Sequence, residues 1–290
     1  IPLIPDIEFR HSELAIREVA AILRCDLSLM ISTVEIDYLT RFFQVPPTQL
    51  QYVPFMEEMT DAHSTVPFAQ RAHFISIGNF RHDPNWDAVR YLKETLWPLI
   101  RQQLPQTELH VYGAYPPKKA TQLHNERSGF LVKGWAPDAQ QVVSQARVML
   151  APLRFGAGLK GKLIDAARNG TPAVTTSIGA EAMYGDDDPP CALVADTPEA
   201  FALAAVGLYQ NEDQWRPLHH NGLRLLEQRF SFATYAPRLI QRITELRAML
   251  DEHRKAHFYG QMLRHHSLKS TRFMAQWIEA KNRLKKNDTE

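Results

Sequence analysis

The chain has 290 residues, 44% hydrophobic and 22% charged, with 33 Lys/Arg against 32 Asp/Glu for a formal charge of +1. This composition excludes collagen-like, mucin-like and disordered chains, and the near-neutral balance argues against a dedicated nucleic-acid binder. Two cysteines, Cys25 and Cys191, are too few for a disulfide framework or a Cys-rich zinc site, so a reducing compartment is expected.

The chain opens on Ile1 rather than Met, which reads as a trimmed or partial chain, and residues 1–10 carry no signal-peptide pattern. From His11 to Arg24, the spacing of Leu14, Val19, Ala20 and Leu23 predicts one apolar helical face. Asp26–Ile31 reads as a short strand. Ser32, with Glu35 three residues on, has capping-box spacing and opens a helix to about Gln44, which Pro46-Pro47 ends. Leu50–Val53 is another strand. Glu18 and Glu35 read as helix-surface or capping acids. Residues 1–55 are thus an α-β-α-β fragment, and residues 56–71, polar and carrying Pro67, read as a linker.

A regular alternation follows. Strands are predicted at His73–Ile77, Glu108–Tyr112, Phe130–Lys133, Arg147–Pro152, Pro172–Thr175 and Ala192–Ala195. Helices are predicted at Asn85–Gln103, Asp138–Gln145, Lys160–Asn169 and Pro198–Tyr209, and helices dominate from Asp213 on. Short apolar strands separated by helices imply an α/β fold with a doubly wound, parallel, Rossmann-like sheet. The longest apolar candidate, Cys191–Tyr209, is interrupted by Asp196, Pro198 and Glu199, so no transmembrane helix is expected.

The segment from Ala151 to Asp165 carries the chemistry. A strand ends near Pro152, a turn holds Gly156, Gly158 and Gly161, and a helix begins near Lys160 and stops at Gly170. Strand, glycine turn and helix start aim free backbone N–H groups at an anion, and the helix dipole adds to the attraction. Arg154, Lys160 and Lys162 surround the turn, so a phosphate group is the expected guest. Gly156-x-Gly158-x-x-Gly161 also spells a dinucleotide fingerprint, for which Glu181 would be the distant acid. Gly156-x-x-x-x-Gly161-Lys162 spells most of a P-loop, but Leu163 stands where Ser or Thr would hold a metal. Asp186-Asp187-Asp188, followed by Pro189-Pro190, reads as a solvated acidic run and not as a metal site.

Several pieces, in this order, resemble the donor domain of retaining glycosyltransferases of the family 4, group 1 type. They are Phe74–Phe80 with Pro84-Asn85-Trp86-Asp87-Ala88, Leu109–Gly113, Val132-Lys-Gly134-Trp135, Ala151–Asp165 with Gly170–Val174, and Gly179-Ala-Glu181. The resemblance covers about residues 72–240. It implies the GT-B fold, in which two Rossmann-like domains face each other, the second holding a nucleotide sugar and the first an acceptor. Residues 72–240 would be the donor domain and residues 1–55 a remnant of the acceptor domain, most of which would be absent. Residues 241–290 would be a basic helical tail.

The resemblance also implies the site. Lys162 and Arg154 would stabilise the leaving diphosphate. Gly78, Asn79, Phe80, Trp135, Gly156, Gly158, Lys160, Gly161 and Asp165 would bind the nucleotide sugar. Asp165 would accept the ribose hydroxyls, while the first of the two glutamates many members carry is replaced by Ala157. Lys160 reads equally as a surface lysine, Trp135 as a loop aromatic and His82 as a surface histidine. The implied reaction is metal-independent hexosyl transfer, with retention, from a UDP- or GDP-linked sugar to a saccharide or lipid-linked acceptor, and without a cofactor. The expected setting is bacterial polysaccharide synthesis in the cytoplasm, at the inner face of the membrane if the tail binds it. The fragment alone would be inactive if it lacks the acceptor domain. An NAD-dependent oxidoreductase and a non-catalytic nucleotide-binding module stay open as alternatives.

The tail is the last charged feature. Residues 251–290 carry nine Lys/Arg, five Asp/Glu and four His. Phe258, Met262, Leu263, Phe273, Met274, Trp277 and Ile278 supply apolar helical spacing there. One reading is a helix pair packed on the domains or on another chain. The other is a contact with an anionic membrane surface.

Overall fold

The structure, a computed structural model, describes residues 11–58, 66–185 and 188–287. The chain divides into two units, residues 54–236 and residues 1–53 with 237–290. In the smaller unit, helix α1 (Glu13–Arg24) is capped by Ser12, strand β1 (Ser28–Met30) pairs in parallel with β2 (Leu50–Tyr52), and α2 (Thr33–Phe43) lies between them in sequence. The hydroxyl of Ser32 accepts the N–H of Glu35 at 3.3 Å, which is the expected cap.

The larger unit is built on a six-stranded parallel sheet of order β5-β4-β3-β6-β7-β8. Its strands are β3 (Ala72–Ile77), β4 (Leu109–Tyr112), β5 (Phe130–Gly134), β6 (Ala146–Ala151), β7 (Ala173–Thr175) and β8 (Ala192–Val194). The helices of this unit are α3 (Asp83–Tyr91), α4 (Trp97–Gln103), α5 (Lys118–Thr121), α6 (Ala139–Gln145), α7 (Gly161–Arg168), α8 (Pro198–Gln210) and α9 (Glu212–Arg229). Helix α10 (Phe232–Ala248) begins at its end, and α11 (Leu250–Ala256) and α12 (Phe258–Asn287) complete the chain.

Both faces of the sheet are covered, as parallel pairing demands. Phe74, Val148 and Leu150 point into a core shared with Trp97, Ile100, Phe201 and Trp215. Their strand neighbours Ile75, Met149 and Ala151 point into a second core with Leu163, Ile164, Leu225 and Phe230. The period-2 alternation of strand side chains thus feeds two layers of helices. This is the doubly wound α/β architecture that the strand–helix alternation implies, followed by a helical C-terminal region.

The structure departs from the sequence reading in three places. The helix expected over Asn85–Gln103 begins at Asp83 and is interrupted by a π-turn at Leu92–Leu96. Pro98 explains the interruption: it has no N–H to give the Glu94 carbonyl, and its ring crowds that oxygen. The short helix α5 lies in a stretch where the sequence pattern predicts no element. Thirdly, the segment read as a linker is anchored at both of its described ends. Glu57 bridges to Ser231 and pairs with Arg168, and Arg71 is buried.

Arg71 ties three elements together. Its guanidinium donates to the carbonyl oxygens of Val66 (2.9 Å), Ala146 (3.2 Å) and Asn169 (2.9 Å) and to the Thr171 hydroxyl (2.7 Å). Burial pushes its pKa down to about 10. Arg71→Met leaves several buried acceptors unsatisfied. It is expected to destabilise the chain by about 3 kcal/mol, read as a lowered urea midpoint at unchanged slope.

The tail does not stand as a fourth segment. Its helices α11 and the start of α12 share a unit with residues 1–53. Asp26 receives Arg254 through both oxygens (3.0 and 2.8 Å) and Arg264 at 2.8 Å. Phe273, Met274, Trp277 and Ile278, further along α12, are exposed.

Candidate functional site

The strand order places one reversal in the sheet. β3, β4 and β5 run outward to one side, and β6 returns to the other side of β3. Loops at the carboxyl ends of two strands that part in this way leave a crevice, where open α/β sheets bind ligands. A cavity of about 480 Å³ lies there. Ile77, Gly78, His82, Pro84 and Asn85 form one wall, after β3. Leu153, Gly156, Ala157, Leu159, Lys160, Gly161, Lys162 and Asp165 form the other, after β6.

The β6 wall is the glycine turn. Gly156 has φ +117° and Gly158 φ +74°, conformations that L side chains rarely adopt. The turn leads into α7, whose first N–H groups have no partner within the helix. Helix α7 ends at the expected place: Asn169 is its cap and Gly170 follows with φ +59°.

Lys162 sits in the first turn of α7 and borders the cavity. Its ammonium donates to Asn85 Oδ1 at 2.7 Å. Among the described residues no carboxylate pairs with it. Burial, reinforced by the charge of Lys160, pushes its pKa down to about 8. Asn85 is itself held, its Nδ2 donating to the Asn79 carbonyl at 3.1 Å. Gly78 backs it: a Cβ there would lie 2.7 Å from the Asn85 amide carbon. A half-buried cation bonded to a neutral amide keeps its charge uncompensated, which suits an anionic ligand.

The other expected cations are already engaged. The Arg154 guanidinium forms a bidentate pair with Asp87 and lies over the Tyr91 ring, outside the cavity. Lys160 borders the cavity, but its ammonium turns back onto the carbonyls of Gly156 and Gly158 and lies 3.7 Å from Glu181. Asp165 does border the cavity. Burial and the nearby Glu57 raise its pKa, while Arg168, 3.1 Å away, opposes them.

Of the residues expected to bind, Gly78, Gly156, Lys160, Gly161, Lys162 and Asp165 line one cavity. Gly158 lies in the same turn, with its N–H bonded to Glu181 Oε2 at 3.1 Å. Like Gly158, three others do not line it. The side chain of Asn79 accepts the N–H of Arg81 in a local turn. Phe80 is buried in the core beside Trp86, as an apolar ring should be. Trp135 follows β5 on a loop and is 67% exposed. The sequence gives Asn85 no role, reads His82 as surface, and offers Glu181 as a distant acid and as part of the resembling Gly179-Ala-Glu181 loop, without a contact to the glycine turn. Asp186 and Asp187 lie outside the described residues.

Residues 71–211 match the model of the domain described as glycosyl transferases group 1. The group 1 match therefore covers β3 to the end of α8 and contains every cavity-lining residue. No curated protein matches the sequence. Solved structures share the fold. A mutant of TarM from S. aureus, in complex with fondaparinux, alpha-GlcNAc-glycerol and UDP, aligns with a TM-score of 0.65 at 12% identity, over 79% of this chain and 46% of that one. The pneumococcal O-GlcNAc transferase GtfA, in complex with UDP and GlcNAc, aligns at 0.60 and 16%, over 79% and 47%. HepE of Anabaena, in complex with UDP and glucose, aligns at 0.64 and 12%, over 82% and 69%. The chain thus spans about half the length of the first two. Among the described residues no helix is long and apolar enough to cross a membrane.

Proposed function

We propose that residues 54–236 are the donor-binding half of a glycosyltransferase and hold a nucleoside-diphosphate sugar in the cavity between β3 and β6. The observation that carries this reading is Lys162, a half-buried lysine with an amide partner in the first turn of α7. The group 1 match and three structural neighbours solved with UDP support it.

In the proposed reaction the bond between the anomeric carbon and the diphosphate oxygen breaks, the oxygen of an acceptor hydroxyl bonds to that carbon, and the hydroxyl proton leaves with the diphosphate. Negative charge develops on that oxygen and positive charge on the sugar. Lys162 and the free N–H groups at the start of α7 meet the phosphate charge, a preorganised electrostatic role. Asp165 accepts hydroxyls of the ribose. Retention, a UDP or GDP carrier, hexosyl transfer, independence from a metal, and a saccharide or lipid-linked acceptor at the cytoplasmic membrane face extend the proposal. The motif resemblance supports these points.

Calorimetric titration of the chain with UDP, GDP, ADP and NAD tests the reading. Micromolar binding of UDP or GDP, with NAD silent, is the expected result. NAD binding without nucleoside-diphosphate binding would establish the oxidoreductase reading instead. Binding without transfer to any saccharide, once the remaining domain is supplied, would leave a nucleotide-binding module.

A further inference from the structure

The glycine turn needs a restraint. Its two left-handed glycines have wide conformational freedom, and an anion site requires its N–H groups to point one way before the ligand arrives. The restraint comes from the chain after β7. There Gly179 N donates to Thr176 Oγ1 (3.1 Å), Ala180 N to Thr176 O (2.9 Å) and Met183 N to Ala180 O (3.0 Å). Met183 is fully buried, and Ala182 takes φ +61°, a strained value for a residue with a Cβ. This fixed turn presents Glu181. Its carboxylate accepts the Gly158 N–H and faces Lys160 at 3.7 Å, while Lys160 grips the Gly156 and Gly158 carbonyls from within the loop.

We infer that Glu181 is a positioning residue: it holds the glycine turn in its anion-receiving shape and cancels the charge of Lys160, leaving Lys162 as the cation offered to the ligand. The inference rests on the donor-site reading of the cavity. Glu181 does not line the cavity and acts through the loop. The second half of the role is electrostatic. Lys160 already depresses the Lys162 pKa. With Glu181 neutralised, that depression deepens. Asp165 on α7 and His82 on the β3 wall are the other titratable groups bordering the cavity.

Two measurements on the 290-residue chain test this separately. In hydrogen exchange, the Gly158 amide of Glu181→Ala is expected to exchange about tenfold faster than in the native chain, with the core strands unchanged. In titration with UDP, Glu181→Gln is expected to bind about tenfold more weakly. The alkaline limit of its binding should also fall by about half a pH unit or more. Adding Lys160→Met should restore that limit, which a merely structural role would not do. Unchanged Gly158 exchange in Glu181→Ala, or an unmoved alkaline limit in Glu181→Gln, overturns the inference. If the native chain binds no UDP, the donor-site reading fails, and the exchange arm still judges the clamp.

Discussion

Lys162→Met is expected to weaken nucleoside-diphosphate binding sharply while making the folded chain more stable. Both effects come from one cause. In the unfolded chain the lysine titrates near its ordinary value, and in the folded chain burial holds it at about 8. At pH 7 the folded state therefore carries the full cost of a desolvated charge. Raising the pH relieves that cost, and lowering it through 8 restores it. Methionine fills similar space without the charge, so a gain of about 2 kcal/mol is expected, read as a higher urea midpoint. The same substitution removes the ammonium from the phosphate site, with an expected loss of about 10²–10³ in turnover where transfer can be assayed. In the native chain, UDP affinity should fall about tenfold per pH unit above 8 as the ammonium deprotonates. Lysines that merely decorate a surface behave otherwise, because their removal leaves stability and the pH profile flat. A loss of stability in Lys162→Met would sink the reading of this residue as a strained functional cation.

How much of this was legible in the sequence depends on the range of the interaction. The six strands of the main sheet were readable because each is a short apolar run between helical patterns, and the glycine turn because strand, glycines and helix start are contiguous. Ser32 and Gly170 could be read as caps for the same reason. Features set by distant partners could not. Arg154 looks like a phosphate cation in its own segment, yet its charge is taken by Asp87, 67 residues earlier. Asn85 looks like an ordinary first-turn residue until the sheet order brings Lys162, 77 residues later, against it. Glu181 reaches Gly158 only because β7 lies next to β6. The linker reading missed Arg71 because its acceptors are carbonyls from β6 and from the end of α7, which no local pattern encodes.

Asn85→Asp tests the central electrostatic claim from the opposite side. The change keeps the size of the side chain but places a carboxylate 2.7 Å from the Lys162 ammonium. A permanent ion pair then forms in the pocket wall, and the pKa of Lys162 rises back toward its ordinary range. The cation survives and its availability does not. An arriving diphosphate meets a neutralised lysine and a like charge beside it, and such juxtapositions cost several kcal/mol. UDP affinity is expected to fall about a hundredfold, and what remains should persist to higher pH than in the native chain. Asn85→Ala separates this effect from simple loss of positioning. Both variants lose the bond from Asn85 Nδ2 to the Asn79 carbonyl, but only aspartate adds charge, so alanine should cost about tenfold. The gap between the two, measured by titration at low and then moderate salt, isolates the electrostatic part. A pocket built for a neutral ligand would show no such gap, because it would have no use for a lysine held by an amide instead of an acid.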